Sequence, residues 1–224
     1  MIPDDTNRLL NPLVYKARKA FTKGVLMESL IEKDPVKQFK TWIHEAFEEE
    51  GELANAMILS TAGKDHAPHS RVVLLRDISY GGFTFFTNYK SHKALEIEQN
   101  SKASLLFFWK EQERQIRIEG ILALLPAHES DAYFASRPFE SQVSAWSSKQ
   151  SEVVENREIL EHDFNNRLNE LKGKDVARPP HWGGYVLIPH YFEFWQGREN
   201  RLHDRITYTQ PSNSDEWEME RLMP

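Results

Sequence analysis

The chain has 224 residues, of which 40% are hydrophobic and 12% aromatic, which is enough to bury a core in one large or two small domains. It has no cysteine, which excludes disulfides, thiolate nucleophiles and Cys-ligated metal centres and suits a reducing compartment. The formal net charge of -6 argues against general affinity for nucleic acid. Because the chain also lacks a long apolar run and an apolar signal-peptide core, we expect a cytoplasmic protein with no membrane or nucleic-acid partner.

The first predicted elements are an N-terminal arm and a helix. Residues 1–30 show weak periodicity and are predicted to form a mobile arm with a short helix, whereas residues 31–224 are predicted to form one domain. Asp34 is a natural N-cap, and Pro35 suits the first helical position. Apolar residues recur at helical spacing through "DPVKQFKTWIHEAFEEE", which predicts a helix over this stretch.

Most later segments are predicted to be strands because they are rich in β-branched and aromatic residues. These are "NAMILSTA", "SRVVLLRDIS", "GFTFFTN", "ASLLFFW", "RQIRIEGILALL", "GGYVLIPHYFEFW", "RLHDRITYTQ" and "EWEMERL". Helices are expected in "SHKALEIEQN", in "AHESDAYFASR" up to the Arg137-Pro138 stop, and from roughly Glu152 to Lys172. The short connections favour antiparallel pairing, so the pattern predicts a mainly β, α+β fold: an antiparallel barrel or sandwich decorated by helices.

Several familiar catalytic motifs are absent from the sequence. It contains no G-x-G-x-x-G after a strand, no G-x-x-x-x-G-K-[ST], no H-E-x-x-H and no G-x-S-x-G. His66 and His69 are three residues apart in "HAPHS", but no carboxylate or further histidine follows at metal-ligand spacing. A solvated turn is therefore predicted there, and no metal site.

A positive cluster stands out in "EFWQGRENRLHDR", where Arg201, His203 and Arg205 follow Trp195 in an acidic chain. If "RLHDR" is a strand, these three side chains occupy alternate positions and project from one face. They would repel one another unless an anion lay against them. The alternative is an edge strand whose solvated charges meet Glu193 or Asp204. Arg198, in the same stretch, is expected to be solvated.

Similar groups recur upstream, in "SRVVLLR", "TNYKSHK", "YFASRPFESQ" and "SSKQS". The segment "NYKSHK" lies at a predicted helix N-terminus, where free N–H groups and the macrodipole favour a phosphate, although an ordinary Ser cap with a solvated Lys is the alternative. Several anion-competent groups in an acidic chain suggest more than one phosphate. Because aromatic residues lie near these groups, phosphorylated ring compounds are the expected ligands.

A family resemblance rests on ordered motifs from about Arg18 to Pro224. The runs "RVVLLR", "FFTNYKSHK", "SLLFFW", "RQIRIEG", "YFASRP", "SQVSAWSSKQS", "WGGY", "EFWQG", "RLHDR" and "RLMP" together resemble the pyridoxine (pyridoxamine) 5′-phosphate oxidase family. The resemblance implies a homodimeric split β-barrel of antiparallel Greek-key type with FMN at the subunit interface. It also implies oxidation of pyridoxine and pyridoxamine 5′-phosphates to pyridoxal 5′-phosphate, with O2 reduced to H2O2, in vitamin B6 biosynthesis and salvage.

The resemblance also implies site residues for two ligands. For FMN these are Arg71, Val72, Val73, Leu74, Leu75, Arg76, Phe86, Thr87, His92, Lys93, Gln115, Gln150, Ser151, Trp195 and Arg205. For the substrate they are Arg18, Lys19, Ala20 and Phe21 of the arm, with Arg76, Tyr133, Arg137, Ser141, Arg201, Leu202 and His203. Of these, Arg201 and His203 would lie over the substrate ring and take the catalytic role, through positioning and electrostatics. Whether His203 also accepts the 4′ proton stays open, because a general base needs hydrogen-bond reach that a sequence does not show.

Three positions depart from the family pattern. Arg76 replaces a usual lysine, and its larger planar fork could shift a contact shared by cofactor and substrate. His92 replaces a usual arginine, which should weaken one contact to the FMN phosphate unless the imidazole is protonated. Phe86 replaces a common tyrosine and loses only a hydroxyl. Two other functions stay open: another split-barrel flavoprotein reductase, or a non-catalytic protein that binds FMN or pyridoxal phosphate.

Overall fold

The structure is a computed structural model that describes residues 19–211, 214 and 216–224. Most of the predicted arm, including Arg18, lies outside the described residues. Residues 19–27 have no regular secondary structure and are followed by a turn at 28–30, so this part of the arm has no helix. Leu26 is buried, and its backbone N–H donates to Asp204 Oδ2 (3.1 Å). The described end of the arm therefore packs against the domain.

The first helix, α1 (Pro35–Glu50), forms where the sequence predicts it. Asp34 caps it, because Oδ1 accepts a hydrogen bond from Val36 N (2.8 Å). The helix buries Phe39 and Trp42, which recur on one face, and a short 3-10 turn, Gly51–Asn55, leads into the sheet. Phe39 packs edge-on against Phe83 at a ring-centroid distance of 4.9 Å. The helix thus packs its buried face against the sheet.

The part of the chain that the structure describes forms a sheet of nine antiparallel strands, one more than the eight segments that the sequence predicts. The strands are β1 (Ala56–Ala62), β2 (Pro68–Leu74), β3 (Asp77–Ser79), β4 (Gly82–Asn88), β5 (Lys102–Trp109), β6 (Arg114–Leu124), β7 (Trp182–Gln196), β8 (Asp204–Thr209) and β9 (Glu218–Arg221). The order is β2-β1-β5-β6-β7-β4-β3, and β8 pairs with both β7 and β9. Contacts between β2 and β4, from opposite ends of this order, show that the sheet curls back on itself. The expectation of an antiparallel α+β fold is confirmed.

Two predicted strand segments differ from the structure. The segment "SRVVLLRDIS" forms two strands, because the chain leaves β2 at Leu75 and re-enters pairing through Arg76 N, which donates to Thr84 O (2.8 Å). The segment "RLHDR" is mostly not a strand. Arg201 lies in a short 3-10 turn (Glu199–Arg201) with φ 63°, and β8 begins only at Asp204. The predicted alternation of Arg201, His203 and Arg205 on one strand face is therefore wrong.

Four further helices lie in the described ranges: α2 (His92–Gln99), α3 (Ala127–Ala135), α4 (Phe139–Ser147) and α5 (Arg157–Leu171). The Arg137-Pro138 stop is observed, but Pro138 is also the N-cap of α4, a helix that the sequence pattern does not predict. The last helix begins five residues later than predicted, where Asn156 Oδ1 accepts from Ile159 N (3.0 Å). None of its residues is buried. Every helix described here is too short or too polar to cross a membrane.

Candidate functional site

One cavity of about 780 Å³ lies where β2, β4 and the start of α2 meet α4 and the loop that follows it. It brings together thirteen of the predicted site residues from five separate segments: Arg71, Val72, Val73, Leu74, Arg76, Phe86, Thr87, His92, Lys93, Tyr133, Arg137, Gln150 and Ser151. Seven further residues line it without having been predicted: His69, Ser70, Asn88, Ser144, Ala145, Ser148 and Trp182. Trp182 and Ser148 lie in the family motifs "WGGY" and "SSKQS". Membership of those motifs was therefore the sequence feature that could have predicted them as site residues.

The first cationic group of the cavity is Lys93, in the first turn of α2. Its Nζ donates to Thr87 Oγ1 (3.2 Å), Ser91 Oγ (3.3 Å) and Gln150 Oε1 (3.0 Å), which are all neutral oxygens. Burial, helped by the nearby Arg71 guanidinium, lowers the pKa of Lys93 to about 8. Next to it, His92 N donates to Ser151 Oγ (3.1 Å). A bound anion here would meet the N-terminus of α2 and the Lys93 ammonium, whose hydrogen-bond partners among the described residues are neutral oxygens and not carboxylates.

The second cationic group consists of Arg76 and Arg137. The Arg137 guanidinium lies 4.7 Å from the Trp182 ring centroid, and Arg76 lies 5.9 Å from that of Tyr133. Desolvation, together with the charge of Arg76, lowers the pKa of Arg137. Its Nη1 is buried and has no hydrogen-bond partner among the described residues. A buried, unpaired guanidinium nitrogen beside a second guanidinium indicates a site for an anion.

Stacked aromatic rings connect these two groups. Phe86, next to Thr87 on β4, stacks on Tyr133 at 3.9 Å with an interplanar angle of 17°. Its other stacking partner is Trp182, at 5.4 Å and 10°. The cavity therefore combines two cationic groups with flat apolar walls, which suits phosphorylated ring compounds.

A second set of predicted residues lies outside the cavity lining. Gln115, Trp195 and Arg205 are register partners across β6, β7 and β8 and form a row across the sheet. The ring of Phe21 packs edge-on against Trp195 and His203, both at 5.6 Å. Lys19 belongs to the same region, since its Nζ lies 3.1 Å from Glu113 Oε1. The predicted residues that do not line the cavity are Lys19, Ala20, Phe21, Leu75, Gln115, Ser141, Trp195, Arg201, Leu202, His203 and Arg205.

Arg205 has internal partners in this second set. Its Nε lies 2.7 Å from Glu193 Oε1, and its Nη1 donates to Met223 O (2.9 Å). Burial pushes the pKa of Glu193 upward, but hydrogen bonds from Arg205 and Arg117 bring it below its usual value. The side chain of Glu193 therefore fixes the Arg205 guanidinium as a charged pair. The pairing of Arg205 with Glu193 agrees with the alternative interpretation of the sequence, in which the charges of this stretch meet Glu193 or Asp204.

The expectation that Arg198 is solvated is wrong. Its Nη1 lies 2.9 Å from Asp204 Oδ2, and its backbone N–H donates to His203 Nδ1 (3.0 Å). Because Nδ1 accepts this bond, a neutral His203 carries its ring hydrogen on Nε2. Arg198 thus sets which nitrogen of His203 can donate to a ligand.

Comparisons with known sequences match almost the whole chain. The profile described as pyridoxamine 5′-phosphate oxidase matches residues 43–168, and that described as pyridoxine 5′-phosphate oxidase C-terminal dimerisation region matches residues 182–224. The pyridoxine/pyridoxamine 5′-phosphate oxidase of Cyanothece sp. is 46% identical over 207 residues, which cover 92% of this chain and 96% of the relative. The protein of the same name from Cupriavidus metallidurans is 46% identical over 210 residues, covering 92% and 97%.

Two solved structures resemble the chain in three dimensions. PhzG from Burkholderia lata, crystallised with tetrahydrophenazine-1-carboxylic acid, has a TM-score of 0.82 at 31% identity and covers 89% of this chain and 98% of its own. A pyridoxamine 5′-phosphate oxidase-related, FMN-binding protein from Nostoc punctiforme has a TM-score of 0.67 at 18% identity, covering 83% and 97%. The expected split-barrel fold is thereby confirmed. The two profiles and the close relatives show that the chain belongs to the pyridoxamine 5′-phosphate oxidase family, a family of FMN-dependent oxidoreductases.

Proposed function

We propose that the chain oxidises the 4′ carbon of pyridoxine 5′-phosphate and pyridoxamine 5′-phosphate to give pyridoxal 5′-phosphate. The observation that carries this proposal is the buried, unpartnered Nη1 of Arg137, in a cavity that also holds Lys93. Two cationic groups without carboxylate partners among the described residues can take two phosphates, one from a cofactor and one from a substrate. The names of the relatives, pyridoxine/pyridoxamine 5′-phosphate oxidases, support these two substrates.

The residues around Lys93 fit the phosphate of FMN. His92 and Lys93 would hold this phosphate at the start of α2, and Thr87, Gln150 and Ser151 would surround it. FMN held there would supply the acceptor for the two electrons and the hydrogen removed from the 4′ carbon, with O2 as the final oxidant and H2O2 as its product. The alcohol substrate becomes an aldehyde directly, whereas the amine becomes an imine that water hydrolyses to the aldehyde and ammonia.

The second cationic group would hold the substrate phosphate. Arg137 offers its free Nη1, Arg76 adds a second guanidinium, and Tyr133 lies between Arg76 and the stacked aromatic wall. Ser141 lies one turn before Ser144, which lines the cavity, so its hydroxyl is proposed as a further donor to this phosphate. Phosphate binding there would orient the ring for oxidation.

A second copy of the chain would complete the site. Gln115, Trp195 and Arg205 form a row outside the cavity, yet the family resemblance assigns them to the same FMN as Lys93. Trp195 and Arg205 both lie within the C-terminal dimerisation region at 182–224. A homodimer that sets the row of one copy against the cavity of the other reconciles these facts. FMN would then lie at the interface.

Arg201 and His203 are proposed to act on the substrate ring from this second copy. Phe21 and Trp195 pack around the imidazole of His203, while Arg198 N occupies its Nδ1. His203 would then donate a hydrogen bond from Nε2 and would not remove the 4′ proton. Arg201 is exposed in its turn, where its cation can stabilise negative charge that develops near the ring.

The test uses the purified, untagged full-length chain. Its absorbance spectrum is first examined for a bound flavin, and pyridoxine 5′-phosphate is then added under air while pyridoxal 5′-phosphate and H2O2 are measured. Equal amounts of the two products are expected, with little turnover of unphosphorylated pyridoxine as the control substrate. A bound flavin without turnover would favour the reductase or carrier alternatives.

A further comparison addresses the likeness to PhzG. Tetrahydrophenazine-1-carboxylic acid carries a carboxylate that Arg137 could pair with, so it is offered as a competing substrate. We expect the phosphorylated pyridine to be preferred, because both cationic groups of the cavity would be used. Faster turnover of the carboxylate would contradict the proposed substrate.

A further inference from the structure

His69, His92 and Glu96 form a cluster of metal-ligand type at the edge of the cavity. One ligand atom from each lies within 4.8 Å of the others: the imidazole nitrogens come from β2 and α2, and the carboxylate from the second turn of α2. His69 Nδ1 is 2.5 Å from Glu96 Oε1, and His92 Nδ1 is 3.8 Å from the same oxygen. The two rings meet edge-on at 4.9 Å. Two histidines on different elements thus face one carboxylate oxygen.

The carboxylate of Glu96 is held rigidly by its second oxygen. Its side chain is only 6% exposed, and Oε2 accepts from Thr61 Oγ1 (2.5 Å) and from Arg71 Nη2 (3.2 Å). These contacts leave Oε1 for the two imidazoles. Burial opposes ionisation, but the hydrogen bonds from Thr61 and His69 keep the pKa of Glu96 below its usual value. Hydrogen bonds that orient a ligating carboxylate in this way are typical of metal sites.

We propose that His69, His92 and Glu96 bind a divalent transition-metal ion of the zinc class. A zinc ion with ligands at about 2.0–2.1 Å needs ligand atoms about 3.3 Å apart, and the two measured separations lie on either side of that value. Side-chain rotations suffice to reach it, since the imidazoles of His69 and His92 are 45% and 60% exposed. Two imidazoles and one carboxylate leave a fourth position open.

The open position faces the cavity, because His69 and His92 both line it. The fourth ligand can be water or a phosphate oxygen. The positive charges of Arg71 and Lys93 disfavour a metal cation nearby, and the negative charge of a phosphate would offset this repulsion. The identification of this phosphate as that of FMN rests on the proposed function. The binding of the ion by the three side chains does not depend on that function.

The experiment measures metal binding directly. The untagged chain is treated with a chelator, its flavin content is recorded, and Zn²⁺ is titrated by calorimetry while Co²⁺ is followed by its visible absorption. We expect one ion per chain and a Co²⁺ spectrum of low coordination number. His69→Ala should weaken Zn²⁺ binding at least about 100-fold, because it removes a ligand outright, and Thr61→Val about 10- to 100-fold.

His66→Asn is the matched control. His66 lies in the exposed loop that precedes β2, three residues from His69 and outside the cluster, and asparagine tolerates its φ of 61°. This variant should bind Zn²⁺ as the unchanged chain does. Absence of a Zn²⁺ site, or equal binding by the His69→Ala variant, would overturn the proposal. The metal experiment measures binding and not turnover. If the separate oxidase assay shows no activity while Zn²⁺ still binds, that result contradicts only the proposed function.

Discussion

Arg137→Met is expected to weaken substrate binding while leaving FMN bound. The substitution keeps most of the apolar volume beside Trp182 but removes the guanidinium whose buried Nη1 lacks a partner. One charge-assisted hydrogen bond contributes about 1.5–3 kcal/mol. Since each 1.4 kcal/mol is a factor of ten, kcat/KM for pyridoxine 5′-phosphate should fall about 10- to 150-fold. The FMN content should stay near that of the unchanged chain, because Lys93 and its neighbours are untouched.

The stability of the ligand-free chain provides a second measurement for this variant. Loss of the cation–π contact with Trp182 costs about 0.5–1 kcal/mol, and removal of a desolvated, unpaired charge offsets it. The melting temperature without ligand should therefore change little, whereas the stabilisation that added substrate gives should be lost. Arg167→Met is the control, since that guanidinium lies 5.9 Å from the Trp146 ring and pairs with Glu170. Unchanged kinetics in the Arg137→Met variant, or stoichiometric loss of FMN, would refute the assignment of Arg137 to the substrate phosphate.

Three further predictions concern the other charged groups. Arg201→Leu should cut kcat/KM severely with FMN content near wild type, as steady-state kinetics and the flavin spectrum would show; FMN loss would contradict a substrate role. His92→Arg should lower the FMN dissociation constant if the imidazole is a weakened phosphate ligand, and an unchanged constant in a fluorescence titration would count against that idea. Lys93 has a pKa lowered to about 8, so it loses its proton as pH rises through 8 and FMN affinity should fall above that pH. In the ligand-free chain, the unfolded state binds more protons than the folded state between pH 8 and the ordinary lysine pKa. The free energy of unfolding should therefore rise with pH over this range. Lys93→Arg should remove both the fall in FMN affinity and this rise in stability.

Local sequence patterns predicted most of the secondary structure. Asp34 and Pro35 set the start of α1, and the β-branched and aromatic runs gave the antiparallel sheet. The errors fall where backbone conformation is set by tertiary contacts. Arg201 has a positive φ in a turn that the pattern "RLHDR" does not reveal, and Pro138 starts a helix as well as ending one.

The candidate site was predicted residue by residue but not in its arrangement. The resemblance supplied residues on both sides, and the cavity collects those near Lys93 and Arg137 while the row around Trp195 lies elsewhere. No one-dimensional pattern distinguishes residues that meet within a chain from those that meet between two copies. The contact between Arg205 and Glu193 likewise depends on the pairing of β7 with β8.

The sequence by itself determined the antiparallel α+β fold, the family and the residue types available to hold two phosphates, because these follow from periodicity and from ordered motifs. Only the tertiary structure decided which charges stay without partners. It pairs Arg198 with Asp204, whereas it leaves Arg137 Nη1 buried and unsatisfied among the described residues. It also brings His92 and Glu96 close to His69, whereas the sequence shows only His66 near His69. The physical reason is that chain folding sets distances between residues far apart in sequence, and charge pairing and metal binding depend on those distances.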